Sequence, residues 1–593
     1  MGPRRSRVKK TGKRTGPNLR LRMGLIAAVS ILALLITSVR LVSIQGMDSM
    51  KLAEKALDNR LVTRTLPADR GQILASDGTV LADSVSRYQL VVDQENVAQY
   101  KVDGKLVGAW GAAEALAGPL DTDPGLLYPK LVGDKRWNPV AKGLTSETWR
   151  AVKKLEILGV SAEEYAVRSY PSGGVAGNLV GFLSSDGHAQ AGLEQAYDEQ
   201  LSGRDGRQQY EKGARGEIIP LGDNNIQDAV DGEGLQTTID PDIQYYAQQA
   251  IEEQRQKHKA ESGSIVVKEI KTGRILAAAD APTVDPNSPG KVDADDRGSR
   301  IFTDVFEPGS TAKMVTAAAL LDQGLVDPED EFTVPYKWKA PNDEEFRDSH
   351  EHPDEKLTFA GILAESSNTG TILAGEKLTE EQRYEYMKKF GFGSTSGIGF
   401  PAETGGILHP YTDWDGRTKY TVMFGQGVAA NALQTTDVIA TIANGGVHVP
   451  STLVDGMIGP SGKPISEPAG KPERVISEKA ADQTLSILEG VVAEGTGKSA
   501  QVSGYRVAGK TGTAQAPAAE GGGYDGYTAS FVGVLPAEDP QVAISVTLQR
   551  PRDGYYGGSA AAPVFSDVAG FTMRHLKIPP STTEPQLPAR EWK

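Results

Sequence analysis

The chain has 593 residues, more than the roughly 250–300 at which a single hydrophobic core stops growing, so two or more globular units are expected. Hydrophobic residues make up 39% and charged residues 24%, which excludes a largely disordered protein and a multi-span transporter. The formal net charge is −14, and the absence of cysteine excludes disulfides, thiol catalysis and cysteine-ligated zinc.

A basic segment precedes a long apolar run at the N-terminus. Residues 1–22 contain nine Lys or Arg and no acidic residue, and residues 23–44 are largely apolar. Such a tail could be a nucleic-acid arm, but roughly 20 apolar residues cross a bilayer, and basic flanks stay cytoplasmic. A cleaved signal peptide would need a small-residue cleavage site, which residues 37–41 do not offer. We therefore predict a cytoplasmic tail, a retained membrane anchor, an extracytoplasmic body and no nucleic-acid partner.

The region after the anchor predicts a mixed, elongated module without a catalytic cluster. A helix is expected over 47–59 and an extended connector over 62–65. Apolar residues on both sides of an Asp-Gly turn predict a β-hairpin over 70–82. Helical periodicity, broken by turns, extends from about residue 105 to 165, and another helix is expected over 192–203.

A second unit is predicted to begin near residue 234. Leu235–Ile239 is typical of a strand and Pro241–His258 of an amphipathic helix. Four further strand-like runs are found at 263–267, 274–277, 528–534 and 542–548. Because a long, largely helical stretch separates the early runs from the late ones, we expect one sheet with helices against it, an α/β (α+β) fold. The predicted domains are a pedestal over 45–233, a catalytic domain over 234–577 and a C-terminal tail over 578–593.

Ser310 and Lys313 form the strongest candidate for covalent chemistry. Pro-Gly before Ser310 is typical of a helix start, so the two side chains are expected on one face of the first turn. A serine hydroxyl is a weak nucleophile until a base takes its proton, and a neutral lysine within hydrogen-bond reach can be that base. The helix N-terminus also favours the developing anion.

The order of motifs gives this pair its specificity. Ser-x-x-Lys also occurs at Ser6, in the basic tail. Lys-Thr-Gly occurs three times, at Lys10, Lys271 and Lys510. Ser310 is followed by a Ser-x-Asn, at Ser366, and then by Lys-Thr-Gly on a strand-like run, at Lys510. This ordered set is shared by penicillin-binding proteins and serine β-lactamases.

Further motifs extend the pattern over nearly the whole chain. They are Arg70-Gly71-x-Ile73, Arg168-x-Tyr170-Pro171, Gly192-x-Glu194-x-x-Tyr197, Thr238-Ile239-Asp240, Phe424-Gly425-Gln426-Gly427 and Asn444-Gly445-Gly446. With these motifs the chain resembles a class B, monofunctional penicillin-binding protein, closest to the division-type transpeptidases of Gram-positive actinobacteria. The resemblance implies a transmembrane helix, a pedestal and a transpeptidase domain with a central antiparallel sheet flanked by helices.

The resemblance implies catalytic roles for three residues. Ser310 would be acylated, Lys313 would be its base, and Ser366 would relay a proton between the lysine and the leaving amine. The backbone N–H groups of Ser310 and Thr513 would form the oxyanion hole. The competing interpretation of Ser366 and Asn368 is a helix-capping pair.

The resemblance also implies substrate-binding residues. Asn368 would hold the substrate amide. Lys510, Thr511 and Thr513 would bind the carboxylate of the donor peptide. Gly512 would leave the strand surface open, so that a peptide or a β-lactam lies along it as an added strand.

The implied activity is peptidoglycan D,D-transpeptidation, with stem peptides ending in D-Ala-D-Ala as substrates, β-lactams as ligands and no cofactor or metal. Because no glycosyltransferase domain is visible in the pedestal, a SEDS-type polymerase of the division machinery is the expected partner, by family analogy. The alternatives are a lateral-wall transpeptidase, a class D-like β-lactamase and a β-lactam sensor. D,D-carboxypeptidase activity remains open as a side reaction.

Three further features each have two interpretations. Residues 348–352 (Asp-Ser-His-Glu-His) are either a solvated polar loop or a metal site, and the loop is favoured because no third ligand is signalled. Residues 515–527 are either a disordered connector or a flexible flap beside the substrate groove. Arg70 is either a requirement of the pedestal fold or part of a joint that couples the catalytic domain to a partner.

Overall fold

The computed structural model describes residues 19–47, 60–211, 219, 224–459, 464–466, 470–518 and 522–593. They form mixed α/β structure in two compact units: the described residues up to 67 together with those in 205–229, and the described residues in 68–204 together with those in 230–593. Most of the basic tail, and the predicted helix 47–59 beyond Met47, lie outside the described residues.

The first unit contains the apolar helix and a small sheet. The helix Leu19–Val42 begins four residues before the predicted anchor and continues as a π-helical turn at Ser43–Met47. Among the described residues, Leu19–Gln45 is the one helix long and apolar enough to cross a membrane. A three-stranded antiparallel sheet is formed by Leu61–Leu66, Gly206–Glu211 and Asn224–Gln227.

The pedestal part of the second unit mixes strands and short helices. Its strands are Ile73–Leu74, Val80–Val92, Lys101–Val102, Lys105–Leu106, Asn138–Leu144 and Val160–Ser169. Its helices are Gln94–Val97, Gly108–Leu120, Pro124–Leu131, Ser146–Lys153, Gly177–Val180, Gly192–Ala196 and Asp198–Ser202. The predicted hairpin is confirmed, since Ile73–Leu74 pairs antiparallel with Val80–Val92. The prediction of helix is wrong for 138–144 and 160–169, because both runs are strands that pair with Val80–Val92. This tertiary pairing overrides their local pattern.

A seven-stranded sheet joins the pedestal to the later part of the chain. Its order is Pro464–Ser466, Val454–Ile458, Gly234–Thr237, Ile73–Leu74, Val80–Val92 and Asn138–Leu144, with Val160–Ser169 also paired to Val80–Val92. One hydrophobic core behind it contains Leu81 and Leu179 from the pedestal and Leu235, Ile275 and Phe302 from the later part. The residues on both sides of the predicted boundary at 233/234 therefore belong to one compact unit, and the boundary stays a prediction.

Arg70 lies in an ion-pair network inside this unit. Its Nε is 2.6 Å from Glu194 Oε2, and Arg168 Nε is 2.7 Å from Glu194 Oε1. Arg70 also contacts Asp198 at 2.6 Å. The Glu194 side chain is 0% exposed and that of Arg70 only 10%. This burial supports a role for Arg70 in the fold rather than in an exposed joint.

The central sheet of the second unit has five strands: β1 (Ser262–Glu269), β2 (Ile275–Ala281), β3 (Ala508–Pro517), β4 (Tyr524–Leu535) and β5 (Val542–Gln549). The order is β2-β1-β5-β4-β3, and all pairs are antiparallel. The prediction that early and late strands meet in one sheet is confirmed.

Helices cover both faces of this sheet. The four that matter for the site are α1 (Lys313–Asp322), α2 (Phe359–Glu365), α3 (Asn368–Gly375) and α4 (Glu478–Ala493). The others are Pro241–His258, Arg300–Thr303, Glu380–Lys389, Thr418–Thr421, Ala432–Ala443, Gly557–Ala560 and Ala562–His575. Successive residues of a strand point to opposite faces. Phe531 accordingly packs with Ile251 and Phe565 on one face, and Val532 packs with Met314 on the other.

Short strands pair near these helices: Glu331–Val334 with Glu355–Thr358, Lys337–Lys339 with Glu345–Arg347, and Val447–His448 with Glu473–Arg474.

The predicted tail 578–593 has no helix or extended strand, but it is hydrogen-bonded to the body of the unit at several places. One such contact joins the backbone N–H of Ser581 to the Gly504 carbonyl at 2.9 Å.

Candidate active site

Ser310 lies in a tight turn against the edge strand of the central sheet. The turn Gly309–Ala312 is a 3-10 helix that leads directly into α1. Gly309 has φ 54°, and a Cβ at this position would lie 3.0 Å from the Cβ of Ala514 on β3. The N–H of Gly309 donates to the Gly425 carbonyl at 3.0 Å, which fixes the turn from the other side. The predicted helix start at Ser310 is thus confirmed, and β3 is its immediate neighbour.

Lys313 is fully buried one turn after Ser310. Its Nζ donates to the Ser366 carbonyl oxygen at 2.5 Å and to Asn368 Oδ1 at 2.8 Å, and it lies 3.5 Å from Ser366 Oγ. Burial lowers the pKa of Lys313 to about 7, although the negative charge of Asp348 opposes this shift. A sizeable fraction of the amine is therefore neutral near pH 7 and able to accept a proton.

Lys510 brings a second buried amine to the same hydroxyl group. Its Nζ donates to Ser366 Oγ at 2.8 Å. Burial lowers the pKa of Lys510 well below its usual value, and the positive charge of Lys313 lowers it further. Ser366 ends α2 with φ 59°, a left-handed conformation that costs a non-glycine residue free energy. The surrounding contacts hold Ser366 in this conformation, with its hydroxyl between the two lysines.

Capping is divided between Ser366, the C-cap of α2, and Ser367, the N-cap of α3. Ser367 is the N-cap of α3, and its hydroxyl accepts from the Gly370 N–H at 2.9 Å. Asn368 is the first residue of α3, and its side chain is bonded to Lys313. The intervening serine therefore begins the helix, while its two neighbours face the buried lysine.

Asp348 holds the N-terminus of α3 and was not recognised from the sequence as part of the site. Its carboxylate accepts from the Ser367 hydroxyl at 2.6 Å, from the Thr369 N–H at 3.1 Å and from the Asn368 N–H. His352 Nε2 lies 3.1 Å from the same carboxylate. The motif weighed as a metal site thus contains a carboxylate engaged by protein donors. Asp348 and its partners at the start of α3 are about twenty residues apart in the chain, so no local sequence pattern indicates their contact.

The Lys-Thr-Gly run is on β3, as predicted. The Thr511 hydroxyl lies 3.1 Å from that of Thr496, and the Thr513 hydroxyl accepts from the Gly557 N–H at 3.0 Å. A Cβ on Gly512 would lie 2.3 Å from Ser530 Oγ and 3.0 Å from the Thr311 side chain. Close packing against Ser530 of β4 and Thr311 of the Ser310 turn therefore favours glycine at position 512.

β3 is the terminal strand of the sheet, so one of its edges pairs with no strand among the described residues. It continues to Pro517, which pairs with Tyr524 of β4. The described part of 515–527 is thus an extension of a β-hairpin rather than a connector without structure. An unpaired edge beside Ser310 can accept an extended peptide as an additional strand.

The decoy motifs are separated from this site or lie outside the described residues. Ser6 and Lys10 are in the undescribed tail. Lys271 is largely exposed and pairs with Asp539 at 3.0 Å. The structure thus gathers Ser310, Lys313 and the Ser366, Asn368 and Lys510 side chains, and it leaves the Lys271 copy of Lys-Thr-Gly out.

Comparison with known proteins gives a consistent result over most of the chain. Residues 263–570 match the penicillin-binding protein transpeptidase domain, and residues 65–237 match the penicillin-binding protein dimerisation domain. The chain is 33% identical to penicillin-binding protein PbpB of Mycolicibacterium smegmatis, over 94% of this chain and 91% of that protein. It is 30% identical to peptidoglycan D,D-transpeptidase FtsI of Escherichia coli, over 94% and 92%. The crystal structure of penicillin-binding protein 3 from Mycobacterium tuberculosis, complexed with aztreonam, matches with a TM-score of 0.69 at 28% identity, covering 89% of this chain and all of that one.

Proposed function

The chain belongs to the class B penicillin-binding proteins and is a peptidoglycan D,D-transpeptidase, and on this premise we propose that Ser310 is its acylated nucleophile. The Ser310 oxygen attacks the carbonyl carbon of the penultimate D-Ala of a stem peptide. The bond to the terminal D-Ala breaks, and that residue leaves as a free amino acid. A side-chain amine of a neighbouring stem peptide then attacks the acyl-enzyme, forms the cross-link and releases Ser310.

The observation that carries this proposal is the buried, low-pKa amine of Lys313 one turn from Ser310. A neutral amine takes the hydroxyl proton as the serine attacks. Among the described residues, none is hydrogen-bonded to the Ser310 hydroxyl. Contacts between a nucleophile and its base commonly tighten only in the complex with substrate.

Ser366 is the proposed proton relay. Its hydroxyl is within 3.5 Å of Lys313 Nζ and 2.8 Å of Lys510 Nζ, so a proton taken by Lys313 has a short path to the leaving amine. Protonation is required because the amide nitrogen of the terminal D-Ala departs as an amine. Asn368, held by Lys313, is the proposed contact for the substrate amide.

The donor carboxylate is proposed to bind at the Lys-Thr-Gly segment. The hydroxyls of Thr511 and Thr513 supply donors beside the Lys510 amine. The backbone N–H groups of Ser310 and Thr513 are the proposed oxyanion hole, because the Ser310 turn lies directly against β3. The absence of a side chain at Gly512 permits this close packing of the Ser310 turn on β3. A β-lactam would occupy the same groove.

The cellular assignment is a proposal of its own. The apolar helix Leu19–Gln45 and the FtsI-like relatives indicate a membrane-anchored protein. We propose a cytoplasmic N-terminus, a catalytic domain outside the membrane, septal cross-linking during division and a SEDS-type polymerase as partner. The basic tail and the similarity to FtsI support this assignment, with lateral-wall synthesis as the alternative. A fluorescent fusion at the division plane is the expected result, and uniform side-wall signal would contradict it.

The domain boundaries predicted from the sequence are retained as part of the proposal. The matches to residues 65–237 and 263–570 support a pedestal over 45–233 and a transpeptidase domain over 234–577.

Acylation of Ser310 is tested with the full-length protein in detergent. After incubation with benzylpenicillin, intact-mass analysis should show one added penicillin, and peptide mapping should locate it on Ser310. Ser310→Ala should remain unlabelled. The adduct on another serine, or full labelling of Ser310→Ala, would refute the assignment.

A further inference from the structure

The short helix that ends at Ser366 is held by the C-terminal end of the chain. We call residues 578–593 the C-terminal strap. Helix α2 has only seven residues. A helix of this length is unstable by itself and depends on tertiary contacts for its position. Both ends of α2 contact the strap.

The first contacts are at the N-terminal end of α2. The backbone N–H of Thr358, its N-cap, donates to the Arg590 carbonyl at 2.9 Å, and the Thr358 hydroxyl donates to the Ala589 carbonyl at 2.5 Å. A Cβ on Gly361 would lie 2.0 Å from the Arg590 carbonyl oxygen. The strap backbone is therefore packed directly onto the first turn of α2.

The second contact is at the C-terminal end of the same helix. The guanidinium of Arg590 forms an ion pair with Glu365, the residue immediately before Ser366. The same guanidinium lies 3.4 Å from the Glu494 carbonyl oxygen. Arg590 thus spans α2 from its first turn to its last, and also reaches the segment after α4.

That segment leads to the substrate side of the site. The backbone N–H of Thr496 donates to the Ala364 carbonyl at 3.1 Å, and the Thr496 hydroxyl lies 3.1 Å from that of Thr511. Arg590 therefore lies where the chain that carries Ser366 meets the chain that contacts the Lys-Thr-Gly strand. A displacement of Arg590 would therefore move both the segment that carries Ser366 and the segment that contacts Thr511.

The strap is fixed on both sides of Arg590. The Tyr505 hydroxyl donates to the Ile578 carbonyl at 2.7 Å near the start of the strap. Near its end, Trp592 Nε1 donates to the Phe332 carbonyl at 3.0 Å, and Lys356 Nζ lies 4.5 Å from the centre of the Trp592 ring. These anchors hold the strap across the body of the domain.

We propose that the strap, through Arg590, is a positioning element for Ser366 and thereby sets the rate of acylation. Ser366 has a strained left-handed backbone, so its geometry persists only while α2 is held from outside. Its hydroxyl is the group that both buried lysines approach. This inference rests on the proposed acylation of Ser310, which the labelling of the unmodified protein tests separately.

The test compares full-length variants in their reaction with a fluorescent penicillin. The acylation step is resolved from the preceding binding step, at a temperature where melting curves show every variant fully folded. Arg590→Ala should slow the acylation step by about tenfold with little change in binding, because a displacement of about 1 Å at a catalytic group costs up to about a hundredfold. Arg590→Lys, which keeps the charge, should recover part of the rate.

Two further variants separate positioning from general stability. Thr583→Ala is the matched control, because it removes a strap contact to Arg506, which is not a residue of α2, and its acylation rate should equal that of the unmodified protein. Arg590→Ala should add little to the loss in Glu365→Ala, since both remove the same ion pair. An unchanged acylation step in folded Arg590→Ala, or an equal loss in Thr583→Ala, would overturn the proposal.

Discussion

Lys313 and Lys510 converge on one hydroxyl group: the Ser366 Oγ is 3.5 Å from the first Nζ and 2.8 Å from the second. Both amines are fully buried, and burial lowers the pKa of each, that of Lys313 to about 7. Two positive charges at this separation disfavour each other. Burial and the neighbouring positive charge therefore both favour loss of a proton from this pair of amines.

Acylation is expected to follow the titration of Lys313. Only the neutral amine accepts the Ser310 proton, so the rate of acylation should increase with pH through a midpoint near 7. The measurement is the acylation rate with a fluorescent penicillin between about pH 5.5 and about pH 9, within the stable range of the protein. A rate that does not change across this range would contradict the assignment of Lys313 as base.

The same titration makes Lys313 costly for stability at low pH. The pKa of Lys313 is about 7 in the folded protein, whereas the ordinary value is 10.5. Between these two pH values the unfolded chain binds more protons than the folded protein, so the free energy of unfolding increases with pH. Below pH 7 the full cost of burying the charged amine lowers the stability. Lys313→Met should therefore melt at a higher temperature than the unmodified protein at about pH 6, by an amount worth about 1–4 kcal/mol, and by less at about pH 9. A difference that grows with pH would contradict this explanation.

The Lys-Thr-Gly copies are expected to differ in importance. Lys510→Ala should slow acylation by about a hundredfold or more, because it removes a buried group next to the relay hydroxyl. Lys271→Ala is the control and should leave the rate unchanged, since Lys271 is exposed and forms an ion pair with Asp539. The acylation rate constants of the two variants are compared. A similar loss of rate in both would contradict the assignment of Lys510 to the site.

Asp348 is expected to affect both the stability of helix α3 and the pH dependence of acylation. Its charge raises the pKa of Lys313, so Asp348→Asn should move the midpoint of the acylation profile to lower pH. The loss of the contacts at the start of α3 should also cost about 1 kcal/mol of stability. Asp343→Asn is the control, because Asp343 is an exposed carboxylate in the turn before the strand Glu345–Arg347, where it pairs with Lys339. A lower melting temperature with an unchanged midpoint would restrict Asp348 to a structural role.

Arg70→Glu is expected to unfold the pedestal rather than to uncouple an intact enzyme. The new carboxylate would lie beside Glu194, which is 0% exposed, and breaking such a buried pair costs about 3–5 kcal/mol. Arg136→Glu is the control on an exposed arginine, where an ion pair contributes about 0–1 kcal/mol. Melting temperature and penicillin labelling are measured together. Normal values for both in Arg70→Glu, with failed cell division, would restore the coupling hypothesis.

The sequence by itself determined the elements whose signals are local. The helix Pro241–His258 begins and ends where predicted, because Pro241 is at its first turn and the Asp240 side chain caps it by accepting from the Asp242 N–H. The hairpin of β4 and β5 followed from two apolar runs around one turn. The order of the Ser310, Ser366 and Lys510 motifs also identified the family before any geometry was known.

The tertiary structure alone decided what depends on groups far apart in the chain. The lowered pKa of Lys313 results from desolvation by surrounding segments, and no property of residues 307–321 encodes it. The cap that Asp348 provides for α3 joins segments about twenty residues apart. The contact between Arg590 and Glu365 joins segments that are 225 residues apart. Hydrophobic periodicity reports only which face of an element is buried, so these partners become visible only when the packed neighbours are known.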